Sequence, residues 1–219
     1  GGGVAGLTAA AALARQVYPT HLVERGPQVG GILLSLDELA PSGVRAAKVL
    51  DGLQQALHES GVHVHLNATV EQVGGHVGNF HARLSTGEEL KIGAIVLAMG
   101  AVPVDAPPLN GASATVTTNL ELESKLAAGE LPGREVTFIG CVGSREGEKG
   151  CSRYCCTSMI GQALKLQRAG KKVRVLVRDV RTFSRDAEEV YAAASKEGVR
   201  FHRLPPDEPW HKTVKLEAG

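Results

Sequence analysis

Two spacings of apolar residues run through this chain, one helical and one alternating, and together they predict its elements. The opening stretch GGGVAGLTAAAALARQ passes from a glycine turn directly into an Ala/Leu-rich run, which predicts a helix of about three to four turns. THLVERG follows as a short apolar strand that ends at Glu24. Residues 44–60 carry apolar positions at helical spacing and stop at Gly61, a suitable helix C-cap. VHVHLNATVEQVGG and GNFHARLSTGEEL alternate apolar and polar residues between glycine-rich turns, which predicts a small antiparallel excursion. GAIVLAMGA is a continuous apolar run of strand length, expected to be buried on both faces of a parallel sheet.

A second α/β unit begins near residue 119. NLELESKLAAG predicts a helix, and LPGREVTFIG a strand introduced by Pro132 and Gly133. CCTSMIGQALKLQRAG reads as a helix closing at Gly170, KKVRVLVRD as a strand, DAEEVYAAASKEG as a helix and VRFHRL as a strand. This β-α-β-α-β order implies right-handed crossovers and a parallel sheet. The fold class is therefore α/β, with two Rossmann-like dinucleotide-binding units divided as residues 1–118 and 119–219. The strand that should precede Gly1 is absent from the sequence, so a fragment of a longer protein is expected. The Pro-rich LPPDEPW reads as a turn leading out of the second unit.

Composition changes this picture little. The 27 glycines lie well above the usual share of about 7%, in keeping with many tight strand-to-helix turns. The 24 Lys and Arg nearly balance 23 Asp and Glu, so charge gives no case for nucleic acid or an anionic membrane as partner. Neither an apolar run of about 18 residues nor a signal peptide is present, and a cytoplasmic location is expected.

Chemistry enters at two places. Gly1, Gly3 and Gly6 fit G-x-G-x-x-G, in which one glycine makes the turn, the second admits a pyrophosphate to the backbone, and the third lets helix and strand pack closely. The helix start then offers free amides and a positive dipole end to phosphates. Glu24, 18 residues after Gly6, is placed to accept hydrogen bonds from a ribose diol. PQVGG, with Gly30 and Gly31, resembles the second phosphate-side turn of the two-dinucleotide flavoproteins. AIVLAMGAVP, with Ala98 and Gly100, resembles their late strand that passes close to the flavin nucleotide. FAD is the expected cofactor. The corresponding turn of the second unit keeps Gly140, but Val142 and Arg145 stand at the second and third glycine positions, which disfavours NAD(P)H.

All four cysteines fall within CVGSREGEKGCSRYCC, at Cys141, Cys151, Cys155 and Cys156. Cys151 and Cys155 are spaced to share one face at a helix start, with Cys156 turned about 100° round it. Free amides, the helix dipole and the nearby Arg145, Lys149 and Arg153 all favour thiolates there. Four thiolates suit an iron-sulfur cluster or a structural zinc; a redox disulfide would leave two thiols without a role, and inert buried cysteines would not cluster so tightly. The eight histidines, including His63 and His65 alternating on a strand, read as surface or half-buried positions rather than ligands. RDVRTFSR reads as a solvated basic loop.

The motifs GGGVAGLTAA, LVERGPQVGG, VGGHVGNF, AIVLAMGA, FIGCVGSR, CSRYCC and RDVRTF together resemble the A subunit of CoB-CoM heterodisulfide reductase and its relatives, over nearly the whole chain. The resemblance implies a thioredoxin-reductase-like flavoprotein core whose FAD exchanges electrons with iron-sulfur clusters. It implies that Cys141, Cys151, Cys155 and Cys156 ligate a [4Fe-4S] cluster, and that the partners are other subunits of a heterodisulfide-reductase-like complex and iron-sulfur electron-transfer proteins. Two features depart from that family. The interval between Cys141 and Cys151 is short, and the ferredoxin-like cysteine repeats of many members are absent, so at most one cluster is expected. The alternative functions are an NAD(P)H-dependent FAD disulfide reductase and a zinc-stabilised binding module.

Overall fold

The computed structural model describes residues 1–103, 116–145 and 147–205. It divides into two compact units, one of residues 1–34 and 46–102, the other of residues 35–45 and the described residues from 103 onward.

In the first unit, α1 (Val4–Arg15) buries Gly6, Leu7, Ala10 and Ala11, a narrow small-residue face that lets it lie close against its neighbours. It packs against β1 (His21–Val23) and against a second helix, α2 (Ala46–Ser60). Gly61, at φ +72, ends α2 in the left-handed conformation that glycine adopts without a Cβ penalty. β1 pairs in parallel with β4 (His63–His65), His21 standing opposite His63 and Val23 opposite His65. The antiparallel excursion is β5 (Val70–His76), β6 (Asn79–Leu84) and β7 (Glu89–Ile92). Ala82, Leu84 and Leu90 form its apolar centre, against which Val23 and Ile92 pack.

Two expectations need correction here. Residues 63–65 belong to the parallel pair and not to the excursion, because their amide ladder is taken up by β1. The run GAIVLAMGA is no buried strand: among the described residues no strand pairs with it, and Val96, Leu97 and Met99 are 58, 76 and 81% exposed. An apolar run becomes a strand only where a neighbour accepts its backbone hydrogen bonds.

In the second unit, β8 (Glu135–Ile139), β9 (Lys172–Val177) and β10 (Arg200–Arg203) form a parallel sheet of order β10-β9-β8. Phe138, Val175 and Phe201 align across it. α4 (Cys155–Arg168) buries Met159, Ile160, Ala163, Leu164 and Leu166 against the sheet, and α5 (Ala187–Lys196) packs on α4. α3 (Asn119–Ala127) starts at a capping box: Thr118 Oγ1 accepts from the Glu121 amide, and the Glu121 carboxylate accepts from the Thr118 amide at 2.7 Å. A short hairpin, β2 (Glu38–Leu39) and β3 (Val44–Arg45), packs within this unit although its sequence lies in the first segment. A buried polar network anchors it. Asp37, 2% exposed, is ion-paired with Lys165 of α4 and with Arg45, while the Glu123 carboxylate accepts from the Asp37 amide at 2.9 Å. The Gln162 amide nitrogen donates to Glu123 at 2.7 Å. Of the Pro-rich tail LPPDEPW, residues 206–210 lie outside the described residues.

Candidate functional site

The glycine turn assembles around Glu24. Its carboxylate accepts from the Gly2 amide at 2.5 Å and from the Gly26 amide at 2.8 Å, and the Gly30 amide donates to the Gly2 carbonyl at 2.7 Å. Burial works to raise the Glu24 pKa and is the largest single influence on it. The Gly26 and Gly2 amide bonds outweigh that burial and hold the carboxyl below its ordinary range. Glu24 thus enters any ligand contact as a charged carboxylate.

The glycines of the turn have separable reasons. A Cβ at Gly1 would stand 2.5 Å from the Ala98 carbonyl oxygen, and one at Gly6 would stand 1.8 Å from the Gly1 carbonyl oxygen. Gly31, at φ +54, would press a Cβ to 2.8 Å from the Gly3 Cα. Those three are required by packing. Gly3 differs, since its φ of −80 suits any residue and a Cβ there would meet nothing of the protein nearer than the Gly31 Cα at 3.8 Å. Gly3 is the N-cap of α1, and no side chain caps the free first-turn amides behind it. The open space over Gly3 is the cradle that a Cβ would fill, so the turn fits the pyrophosphate of a dinucleotide. A Cβ at Gly100, at φ +70, would stand in open space.

The sequence-predicted residues Gly1, Gly3, Gly6, Glu24, Gly30, Gly31 and Ala98 are therefore brought together in one unit. Gly2 was missed. The G-x-G-x-x-G pattern treats its position as free, yet its amide and carbonyl join Glu24 to Gly30.

The cysteine segment leaves β8 and enters α4. Cys141 directly follows Gly140, and Cys155 and Cys156 form the first turn of α4. Cys141, Arg145 and Arg153 all adopt left-handed backbone, at φ 63, 58 and 60, a conformation uncommon for non-glycine residues and concentrated at functional loops. The Cys156 thiol donates to the Cys155 sulfur, and this bond, helped by the Ser152 hydroxyl, lowers the Cys155 pKa to about 6. The same bond, together with burial, raises Cys156. Burial raises Cys141, partly offset by the Arg145 guanidinium 3.9 Å from its sulfur. Arg145 is itself ion-paired with Asp179, a partner the sequence did not suggest. Arg153 lies over the Phe183 ring, 5.4 Å from its centre, and its amide donates to the Cys151 sulfur at 3.4 Å.

Cys141, Cys155 and Cys156 thus act on one another electrostatically, whereas Cys151 is held by the loop. Among the described residues, no group of three or more His, Cys, Asp or Glu is arranged to hold a metal ion. The donor set suits an iron-sulfur cluster in kind and number, and the arrangement of the four thiols does not yet gather them round one centre.

Residues 1–204 match the family model described as pyridine nucleotide-disulphide oxidoreductase. Among curated relatives, an A-type iron-sulfur subunit of CoB-CoM heterodisulfide reductase from Methanopyrus kandleri is 27% identical, over 95% of this chain and 47% of that protein. The corresponding A-type iron-sulfur subunit of Methanocaldococcus jannaschii is 26% identical, over 94% of this chain and 47% of its own length. The chain spans about half the length of these relatives. Among solved structures, thioredoxin reductase of T. acidophilum superposes with a TM-score of 0.62 at 12% identity, covering 92% of this chain and 61% of that one. The expected resemblance and the α/β fold class both stand on these matches. No helix among the described residues is long and apolar enough to cross a membrane.

Proposed function

Because this chain belongs to the pyridine nucleotide-disulphide oxidoreductase family, we propose that it is the flavin-binding part of an electron-transfer oxidoreductase, a cytoplasmic component of a heterodisulfide-reductase-like complex. The observation that carries the flavin assignment is the open cradle over Gly3, with uncapped α1 amides behind it and the charged Glu24 holding the adjoining Gly2 amide. FAD is held by Gly1, Gly3, Gly6, Glu24, Gly30, Gly31, Ala98 and Gly100, within a flavin domain drawn at residues 1–118. Bound flavin supplies chemistry that accepts an electron pair and releases electrons singly. Around it, this chain's residues bind and orient: the α1 amides face phosphate, Glu24 meets the ribose diol, and the small face of α1 keeps the helix start close to β1.

The second domain, residues 119–219, carries the cysteine segment where a nucleotide turn would otherwise stand. Cys141, Cys151, Cys155 and Cys156 are the ligands we assign to one [4Fe-4S] cluster. Support comes from the donor count and from relatives named as iron-sulfur subunits. The partners are other subunits of such a complex and iron-sulfur electron-transfer proteins. The hydrogen-bonded pair Cys155–Cys156 favours one second reading, a disulfide reductase fed by NAD(P)H.

Electron paramagnetic resonance of the dithionite-reduced full-length protein separates the two. A cluster signal lost on Cys155→Ser or Cys141→Ser supports the first. A silent spectrum, with rapid flavin reduction by NADH, overturns it in favour of the second.

A further inference from the structure

The strand that delivers Glu24 is braced by a histidine cluster that lies outside the glycine turn. His21 of β1 stacks on His63 of β4 with ring centres 5.1 Å apart, and on His65 at 5.2 Å. The Nδ1 of His21 and the Nε2 of His65 lie 2.9 Å apart, so one proton joins the two rings. The other ring nitrogen of His65 faces the Glu88 carboxylate, between β6 and β7, at 3.1 Å. The main chain runs through the same place: the His65 carbonyl accepts from the Glu24 amide at 2.9 Å, and the Glu24 carbonyl accepts from the Ala68 amide at 3.0 Å.

We propose that His21, His63 and His65 form a proton-sensitive brace that holds Glu24 for the flavin ribose and releases it in mild acid. Once both rings are protonated, N–H groups stand on both facing nitrogens, and their 2.9 Å contact becomes a repulsion between two cations. Among the described residues, the titratable groups acting on His21 are His65 and His63 from β4, and Glu88 from the β6–β7 turn. The Glu24 carboxylate is turned to the Gly2 and Gly26 amides instead. Burial first, then the two neighbouring rings, lowers the His21 pKa, and Glu88 only partly opposes them. A base whose folded pKa is depressed destabilises the fold as pH falls from its unfolded value of 6.5 toward the folded one. The brace is therefore intact at neutral pH and weakened below it.

The proposal rests on the flavin reading of the glycine turn, and its test keeps the two apart. FAD affinity of the full-length protein is measured between about pH 7.5 and about pH 5.5 for wild type, His21→Gln and His65→Gln. Wild type should weaken about tenfold across that range, roughly the factor carried by one lost hydrogen bond in the hold on Glu24. The variants should show a nearly flat profile and an affinity at pH 7.5 within about threefold of wild type. A flat wild-type profile, or the same slope in wild type and both variants, overturns the brace. Absence of FAD from the turn at every pH overturns the flavin reading. In that case hydrogen exchange at the Glu24 amide, corrected for intrinsic rates, still decides the brace. Faster opening in acid for wild type but not for His21→Gln sustains it, and equal opening refutes it.

Discussion

Gly3→Ala tests the flavin turn more sharply than any other substitution, because it separates packing from ligand approach. The new methyl meets no protein atom nearer than 3.8 Å, and the backbone at φ −80 accepts alanine. Folding stability of the apo protein should therefore change by no more than about 1 kcal/mol, the scale of an altered N-cap. The methyl stands where the pyrophosphate must approach, so at least one charge-assisted amide bond to phosphate is lost, about 1.5–3 kcal/mol. That corresponds to roughly ten- to hundredfold weaker FAD binding. Gly6→Ala provides the contrast: its Cβ would lie 1.8 Å from the Gly1 carbonyl oxygen, so it should damage fold and affinity together. Thermal unfolding of both apo variants, paired with FAD titration followed by flavin fluorescence, reads the two effects separately. Unchanged FAD affinity in a folded Gly3→Ala protein would refute the assignment of this turn.

Glu24→Gln should flatten the acid limb of stability: the Glu24 carboxyl is held below its ordinary 4.5, so its contribution is present above that value and lost as pH falls through the folded pKa. Acid unfolding of wild type and variant, followed by circular dichroism, measures the difference. Lys165→Met should destabilise the second unit by roughly 3 kcal/mol, the low end for breaking a buried pair, since Arg45 remains beside the buried Asp37. Urea unfolding checks this, and an effect below about 0.5 kcal/mol would show the Asp37 network to be incidental. Mixing with NADH or NADPH should leave the flavin oxidised on a stopped-flow timescale, because Val142 and Arg145 stand where a dinucleotide turn requires glycine.

Helices and the second sheet were legible in the sequence because their signals are local. The apolar face of α4 repeats at helical spacing, and Gly61 and Gly170 end helices at φ +72 and +77. The failures depend on neighbours distant in sequence. Ile95 to Met99 has the composition of a buried strand, but a strand is made by its partner, and no described strand lies beside it. His63–His65 reads equally well as part of a hairpin, and only pairing with β1 decides otherwise. Asp37, Glu123 and Gln162 carry no periodic signal, so their joint burial across distant stretches of sequence was invisible. At the site, the glycine spacing located the turn. It also marked Gly3 for pyrophosphate approach and Gly6 for close packing, but gave no sign that Gly2 would join Glu24 to Gly30. The resemblance likewise implied four ligands acting together, whereas Cys151 is bound to the loop at Arg153 and the other three interact.

The central claim, that the chain binds both a flavin and an iron-sulfur centre, the latter held by this cysteine segment, is tested most directly by composition. Full-length protein purified without oxygen is assayed for FAD, iron, acid-labile sulfide and zinc, beside its Cys155→Ser/Cys156→Ser variant. The prediction is bound FAD in both proteins, with iron and sulfide in equal amounts in wild type and a loss of both, in the amount of one cluster, in the variant. Stoichiometric zinc in wild type, or iron and sulfide undiminished in the variant, would contradict it.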